Sequence, residues 1–135
     1  MKDKILIVAS NYYNEISDNL ITGSTEYLSE KKIKYEIIYA PGCFEIPILI
    51  KRNINDFKGF IGLGCVIRGE TYHFEIISNE CGRAIMDLSI THNKPIGFGI
   101  LTCENYNQAF VRSNPNEKNK GKEAASACLQ LLEII

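Results

Sequence analysis

The sequence predicts an α/β fold: a four-stranded parallel sheet with helices on both faces, in three α/β/α layers. Three observations carry that reading. Short, continuous apolar runs recur along the chain, of the kind that fills a sheet buried on both faces. Segments with apolar residues at helical spacing lie between them. The two patterns alternate as βαβαβαβα, the order that builds a parallel sheet through crossover connections.

The elements follow in turn. Ile5-Leu6-Ile7-Val8-Ala9 is the first strand. Residues 16–30 place Ile16, Leu20, Ile21, Tyr27 and Leu28 on one helical face. Tyr35-Glu36-Ile37-Ile38-Tyr39 is the second strand, broken by Pro41-Gly42. A short helix is predicted over 45–52, with Pro47 tolerated in its first turn. The third strand covers 60–67, rich in β-branched residues and thinned by Gly62 and Gly64. A long helix follows over about 71–91, burying Phe74, Ile77, Cys81, Ile85 and Leu88. Pro95 precedes the fourth strand, 96–101. Two helices close the chain, 105–112 and 120–135, joined by the polar segment 113–119.

Size and composition set the class. The 135 residues are 45% hydrophobic and 23% charged, which predicts one folded domain over 1–135 with a proper core. A net charge of -1 lacks the basic excess of a nucleic-acid binder, so no nucleic-acid partner is expected. No apolar run approaches the roughly 20 residues of a bilayer span, so no membrane partner is expected either. Met1-Lys2-Asp3-Lys4 is charged, and the run 5–9 is too short for a signal-peptide core. The five cysteines (Cys43, Cys65, Cys81, Cys103, Cys128) include no Cys-x-x-Cys pair. They read as reduced thiols of a cytoplasmic protein.

In open α/β sheets, ligands bind beyond the carboxyl ends of the strands. After strand one stand Tyr12 and Tyr13, either a stacking platform for a planar ligand or cover for the sheet end. No glycine is present there for a phosphate loop. After strand two stands Glu45 at a helix start, either a cap for free N–H groups or an acceptor for ligand hydroxyls. The densest polar cluster follows strand three: Arg68-Gly69-Glu70-Thr71-Tyr72-His73. The start of a helix offers N–H groups to an anion, Gly69 leaves room, and Thr71 adds a hydroxyl. His73 in the first turn reads as a general base kept neutral by the helix dipole, or as a packing residue. Arg112 and Lys120 flank the last polar loop, as a solvated basic face or as charged partners of a phosphate.

Several weak matches fall away. Gly62-x-Gly64 lacks the third glycine of a dinucleotide fingerprint, and Asn119-Lys120-Gly121-Lys122 is not a Walker loop. No serine sits in a Gly-x-Ser-x-Gly elbow. His73 and His92 stand apart with no ligand at metal spacing, so no metal is expected. The residues alone point to an α/β protein that binds a planar, phosphorylated or polyol ligand.

Four ordered motifs carry a resemblance. They are Pro41-Gly42-Cys43-Phe44-Glu45-Ile46-Pro47, the stretch 63–75 centred on Ile67-Arg68-Gly69-Glu70-Thr71-Tyr72-His73, the stretch 95–102 containing Gly97-Phe98-Gly99, and Asn119-Lys120-Gly121. From Ile5 onward the chain resembles the lumazine synthase family, the penultimate enzymes of riboflavin biosynthesis. The resemblance implies a flavodoxin-like strand order 2-1-3-4. It also implies condensation of 5-amino-6-(D-ribitylamino)uracil with 3,4-dihydroxy-2-butanone 4-phosphate, releasing phosphate and water without metal or organic cofactor.

The resemblance implies roles as well. Tyr12 would stack on the pyrimidine, where the family has phenylalanine. Phe44 and Glu45 would hold the ring and ribityl groups. Val66 and Ile67 would contact the pyrimidine edge through their backbone. Gly69, Glu70 and Thr71 would form the phosphate turn, and His73 would transfer protons. Phe98, Arg112 and Lys120 would enter from an adjacent subunit, with Arg112 on the phosphate. Asn11, Tyr13, Val111 and Asn114-Pro115 depart from the family's usual residues, and the last two bear on how Arg112 is placed. The family is pentameric, and many members assemble twelve pentamers into an icosahedral shell. Shell formers carry an N-terminal extension, and only 1–4 precede the predicted first strand, so a free homopentamer is expected rather than a 60-mer. A flavodoxin-like module that binds lumazine or flavin without catalysis, and a shell protein with a vestigial site, are the alternatives. A phosphate turn beside His73 favours the enzyme.

Overall fold

The structure, a computed structural model, describes residues 1–134. The strands are β1 (Lys2–Ser10), β2 (Tyr35–Ala40), β3 (Phe57–Ile67) and β4 (Ile96–Cys103). The helices are α1 (Asn14–Glu30), α2 (Ile46–Arg52), α3 (His73–His92), α4 (Tyr106–Ser113) and α5 (Lys120–Glu133). A short 3-10 turn, Cys43–Glu45, precedes α2. The sheet has four strands in the order β2-β1-β3-β4, all parallel. That is the predicted order. The end of the last predicted helix, at Ile135, lies outside the described residues.

The apolar run of β1 has two faces, and both are buried. Ile5, Ile7 and Ala9 share a core with Ile16, Leu20 and Leu28 of α1 and with Ala124, Ala125 and Cys128 of α5. Leu6 and Val8 point the other way, toward Ile46 and Ile50 of α2 and Cys81 and Ile85 of α3. A strand covered on both sides needs no polar alternation, which is why the run is continuous. Two glycines let α5 settle. A Cβ at Gly97 would collide with the Ala124 carbonyl, and one at Gly121 with the Leu20 carbonyl. The Ser24 hydroxyl then donates to the Gly121 carbonyl at 2.7 Å.

The elements differ from expectation mainly at their ends. β1 starts at Lys2 rather than Ile5, because Lys2 N–H donates to the Asp56 carbonyl at 2.8 Å. Lys2 and Lys4 pair with Glu36 of β2 at 3.1 and 3.2 Å. β3 likewise starts at Phe57, with Lys58 paired to Asp3 at 2.8 Å. Polar residues can extend a strand once a neighbour pairs them, and apolar patterning does not register them. β4 continues to Cys103 through its ladder with β3.

α3 begins at His73, two residues later than expected. The Thr71 hydroxyl accepts the His73 N–H at 3.3 Å and so turns the chain into the helix. α3 is also less buried than its pattern predicts. Cys81 and Ile85 are enclosed, whereas Phe74, Ile77 and Leu88 are only half-buried. Ile76, Met86 and Ile90 are 47%, 60% and 71% exposed. α4 starts after a reciprocal cap: Gln108 N–H donates to Asn105 Oδ1 at 2.9 Å, and Glu104 N–H donates to Gln108 Oε1 at 2.8 Å. Among the described residues, no helix is long and apolar enough to cross a membrane.

Candidate active site

The strand ends create the site through a mismatch in length. β3 pairs with β1 only as far as Ala9↔Leu63. It stays paired with β4 as far as Ile67↔Cys103. The last residues of β3 therefore overhang β1, and on that side they have no strand partner. This overhang lies between β1 and β3, where the chain order of the sheet reverses, the place at which such folds bind ligands.

A cleft of about 470 Å³ opens there. Ser10, Tyr12 and Tyr13 line it from the end of β1, Phe44 and Glu45 from the turn after β2, Val66 and Ile67 from the overhang, and His73 from the start of α3. The Tyr12 ring is 73% exposed. It meets Tyr13 edge-on at 4.9 Å. Tyr13 in turn meets Tyr106 at 6.4 Å, and the Tyr106 hydroxyl donates to Glu15 Oε1 at 2.7 Å. One aromatic plane is thus presented to the cleft while the ring behind it is braced. Phe44 is 54% exposed and adds a second apolar surface.

Glu45 is not the cap that one sequence reading allowed. It stands at the N-cap position of α2 in a helical conformation, and its side chain makes no capping hydrogen bond. Its carboxylate is left to the cleft. His73 is exposed in this chain and lines the cleft. Cys43 and Cys65 do line the cleft. Burial pushes the Cys43 thiol up to about 11 and the Cys65 thiol up to about 12. Both are protonated at neutral pH, so neither is a nucleophile.

Gly69, Glu70 and Thr71 form an exposed turn between β3 and His73. Nothing lies within contact distance of a Cβ placed at Gly69, so the approach to this turn is open. Arg68, at its root, stands in the polar cluster that the sequence shows after strand three, where no role of its own is assigned to it. Its Nη1 donates to Glu75 Oε2 at 2.5 Å and its Nε to Glu104 Oε2 at 2.6 Å. Its guanidinium lies 4.4 Å from the centroid of Phe74. Glu104 is far away in sequence, so no local pattern reveals that pair.

The remaining predicted residues are elsewhere. Phe98, Arg112 and Lys120 line a separate groove of about 780 Å³ along the edge of β4 and α5, and this groove shares no lining residue with the cleft. Among the described residues, Arg112 forms no ion pair; its Nη1 donates to the Gln108 carbonyl at 3.3 Å. Lys120 pairs with Glu123 at 3.0 Å. Val111 and Asn114 bound a closed turn, with Lys118 N–H on the Val111 carbonyl at 3.2 Å and Asn119 N–H on the Asn114 carbonyl at 3.1 Å. Among the described residues, no three His, Cys, Asp or Glu side chains converge to hold a metal.

Comparison with known proteins bears on this geometry. A family model described as 6,7-dimethyl-8-ribityllumazine synthase matches residues 2–135. A protein of that name from Bartonella bacilliformis is 46% identical over 134 residues, covering 96% of this chain and 88% of its own. Its namesake from Bartonella henselae is 46% identical over 134 residues, covering 96% of this chain and 86% of its own. The Agrobacterium fabrum protein of the same name is 43% identical over 140 residues, covering 98% and 95%. The family match over residues 2–135 and these likenesses over nearly the whole length show that the chain belongs to the 6,7-dimethyl-8-ribityllumazine synthase family.

Proposed function

We propose that this chain, as one domain over 1–135, makes 6,7-dimethyl-8-ribityllumazine in riboflavin biosynthesis. It joins 5-amino-6-(D-ribitylamino)uracil to 3,4-dihydroxy-2-butanone 4-phosphate and releases phosphate and water. The observation that carries the reading is the cleft at the β1/β3 switch point, which gathers Tyr12, Phe44, Glu45, Val66, Ile67 and His73.

Each residue type fits a need of that reaction. The exposed Tyr12 ring stacks on the flat pyrimidine, which an aromatic face favours. The overhanging backbone at Val66 and Ile67 reads the pyrimidine edge. Phe44 and Glu45 hold the ribityl chain, with the carboxylate accepting hydrogen bonds from its hydroxyls. Gly69, Glu70 and Thr71 receive the phosphate beside the start of α3, where backbone N–H groups and the dipole favour an anion. His73, first residue of that helix, moves protons during imine formation, phosphate elimination and ring closure.

Phe98, Arg112 and Lys120 complete the site from an adjacent subunit of a homopentamer. Two observations support that assembly. The groove holding these residues does not reach the cleft of the same chain. At and beside it, Phe98, Leu131 and Met86 expose apolar surface, as a protein interface does. Arg112, free of ion pairing among the described residues, meets the phosphate. The five unpaired, buried thiols fit a reducing, cytoplasmic setting.

The test mixes both substrates with the protein and follows the lumazine chromophore. Formation well above the protein-free rate is expected. Tight binding of lumazine with no acceleration would move the chain to the class of non-catalytic binding modules.

A further inference from the structure

Arg68 sits at the junction of three segments, surrounded by negative charge. Glu75, on the first turn of α3, takes its Nη1 at 2.5 Å. Glu104, after β4, takes its Nε at 2.6 Å. The Arg68 N–H donates to the Cys103 carbonyl at 2.9 Å, which fixes the root of the side chain. Its guanidinium packs on Phe74 at 4.4 Å. A third carboxylate, Glu70, belongs to the turn itself. The turn assigned to phosphate thus lies among acidic groups, with Arg68 bound to two of them.

We infer that Arg68 is a positioning residue for the phosphorylated substrate: by holding Glu75 and Glu104 on one guanidinium, it cancels charge that would repel phosphate at Gly69–Thr71. The inference rests on the reaction proposed above. Among the described residues, Glu75 Oε1 is buried with no hydrogen-bond partner, so Arg68 on Oε2 is what offsets that carboxylate's charge. Arg68 also holds the Glu75 carboxyl below its ordinary range through the hydrogen bond between them. The pairs are 43%, 29% and 58% exposed at Arg68, Glu75 and Glu104, and exposed pairs contribute little to stability. The effect should therefore show in binding of the dianion rather than in folding. It should weaken as salt screens it, over a Debye length of about 10 Å at 0.1 M.

The test is steady-state kinetics of the wild type, Arg68→Gln, Arg68→Lys and the double variant Arg68→Gln/Glu75→Gln, at low and moderate salt, with thermal midpoints recorded for each. Arg68→Gln is expected to raise KM for the butanone phosphate about three- to tenfold at low salt, leaving KM for the pyrimidine within about twofold. Removing the Glu75 charge in the double variant should recover most of that loss. Arg68→Lys keeps charge without the fork, so it should fall between wild type and Arg68→Gln, and it keeps the test open if Arg68→Gln folds poorly. Equal rises in both KM values, an unchanged KM for the phosphate, or no recovery in the double variant would overturn the inference. A wild type that makes no lumazine would sink the proposed reaction instead, a separate result.

Discussion

At the cleft, single side chains differ in exposure, and the proposed roles follow that difference. Tyr12 offers its ring face outward while Tyr13 braces it, so Tyr12→Phe should keep pyrimidine binding and Tyr12→Ala should weaken it. Titration of the pyrimidine against each variant checks this. His73 is exposed at the helix start. His73→Ala should lower kcat by about tenfold or more if it moves protons in the rate-limiting step; an unchanged kcat removes that role. Arg112→Ala should raise KM for the phosphorylated substrate, as loss of a charge-assisted hydrogen bond worth about 1.5–3 kcal/mol predicts. Most of these residues were legible in the sequence, because they follow strands and carry polar or aromatic groups where a core would not. The pairing of Arg68 was not. Its second partner, Glu104, comes from the end of another strand, and only folding shows that the two meet.

Elements were legible where their apolar residues are enclosed and blurred where they are not. All of β1 from Ile5 to Ala9 is buried on both faces, and it was read correctly. Its first residues were missed because Lys2 and Lys4 join the sheet through backbone pairing and Glu36. The start of α3 shifted for a local reason, the Thr71 hydroxyl on His73 N–H. That geometry also makes His73 the first residue of the helix rather than the third, and it lines the cleft. Close packing of α5 can be tested through Gly97, whose missing side chain leaves room for the Ala124 carbonyl. Gly97→Val should destabilise by about 1–3 kcal/mol, the usual cost of overpacking, or more, since the obstacle is backbone. Chemical denaturation checks it, and an unchanged midpoint would show that α5 can move away.

Over the whole molecule, the buried thiols predict a loss of stability at alkaline pH. Burial pushes Cys43 up to about 11 and Cys65, Cys81 and Cys128 up to about 12. In the unfolded chain such thiols ionise near about 8.5. The folded state holds these protons longer, so their contribution is complete below about pH 8.5 and is lost as pH rises toward 11–12. The thermal midpoint should be lower at pH 10 than at pH 7.5. The groove with Phe98, Arg112 and Lys120 and the cleft with His73 are separate in one chain, and the proposed homopentamer would join them across an interface. Co-expression of His73→Ala with Arg112→Ala tests that claim most directly. In a mixed ring, about a quarter of interfaces pair an intact cleft with an intact groove, as random head-to-tail association requires. At subsaturating butanone phosphate, the mixture should recover roughly that share of wild-type activity, above either variant alone. A mixed assembly no more active than its parents would contradict a site shared between subunits.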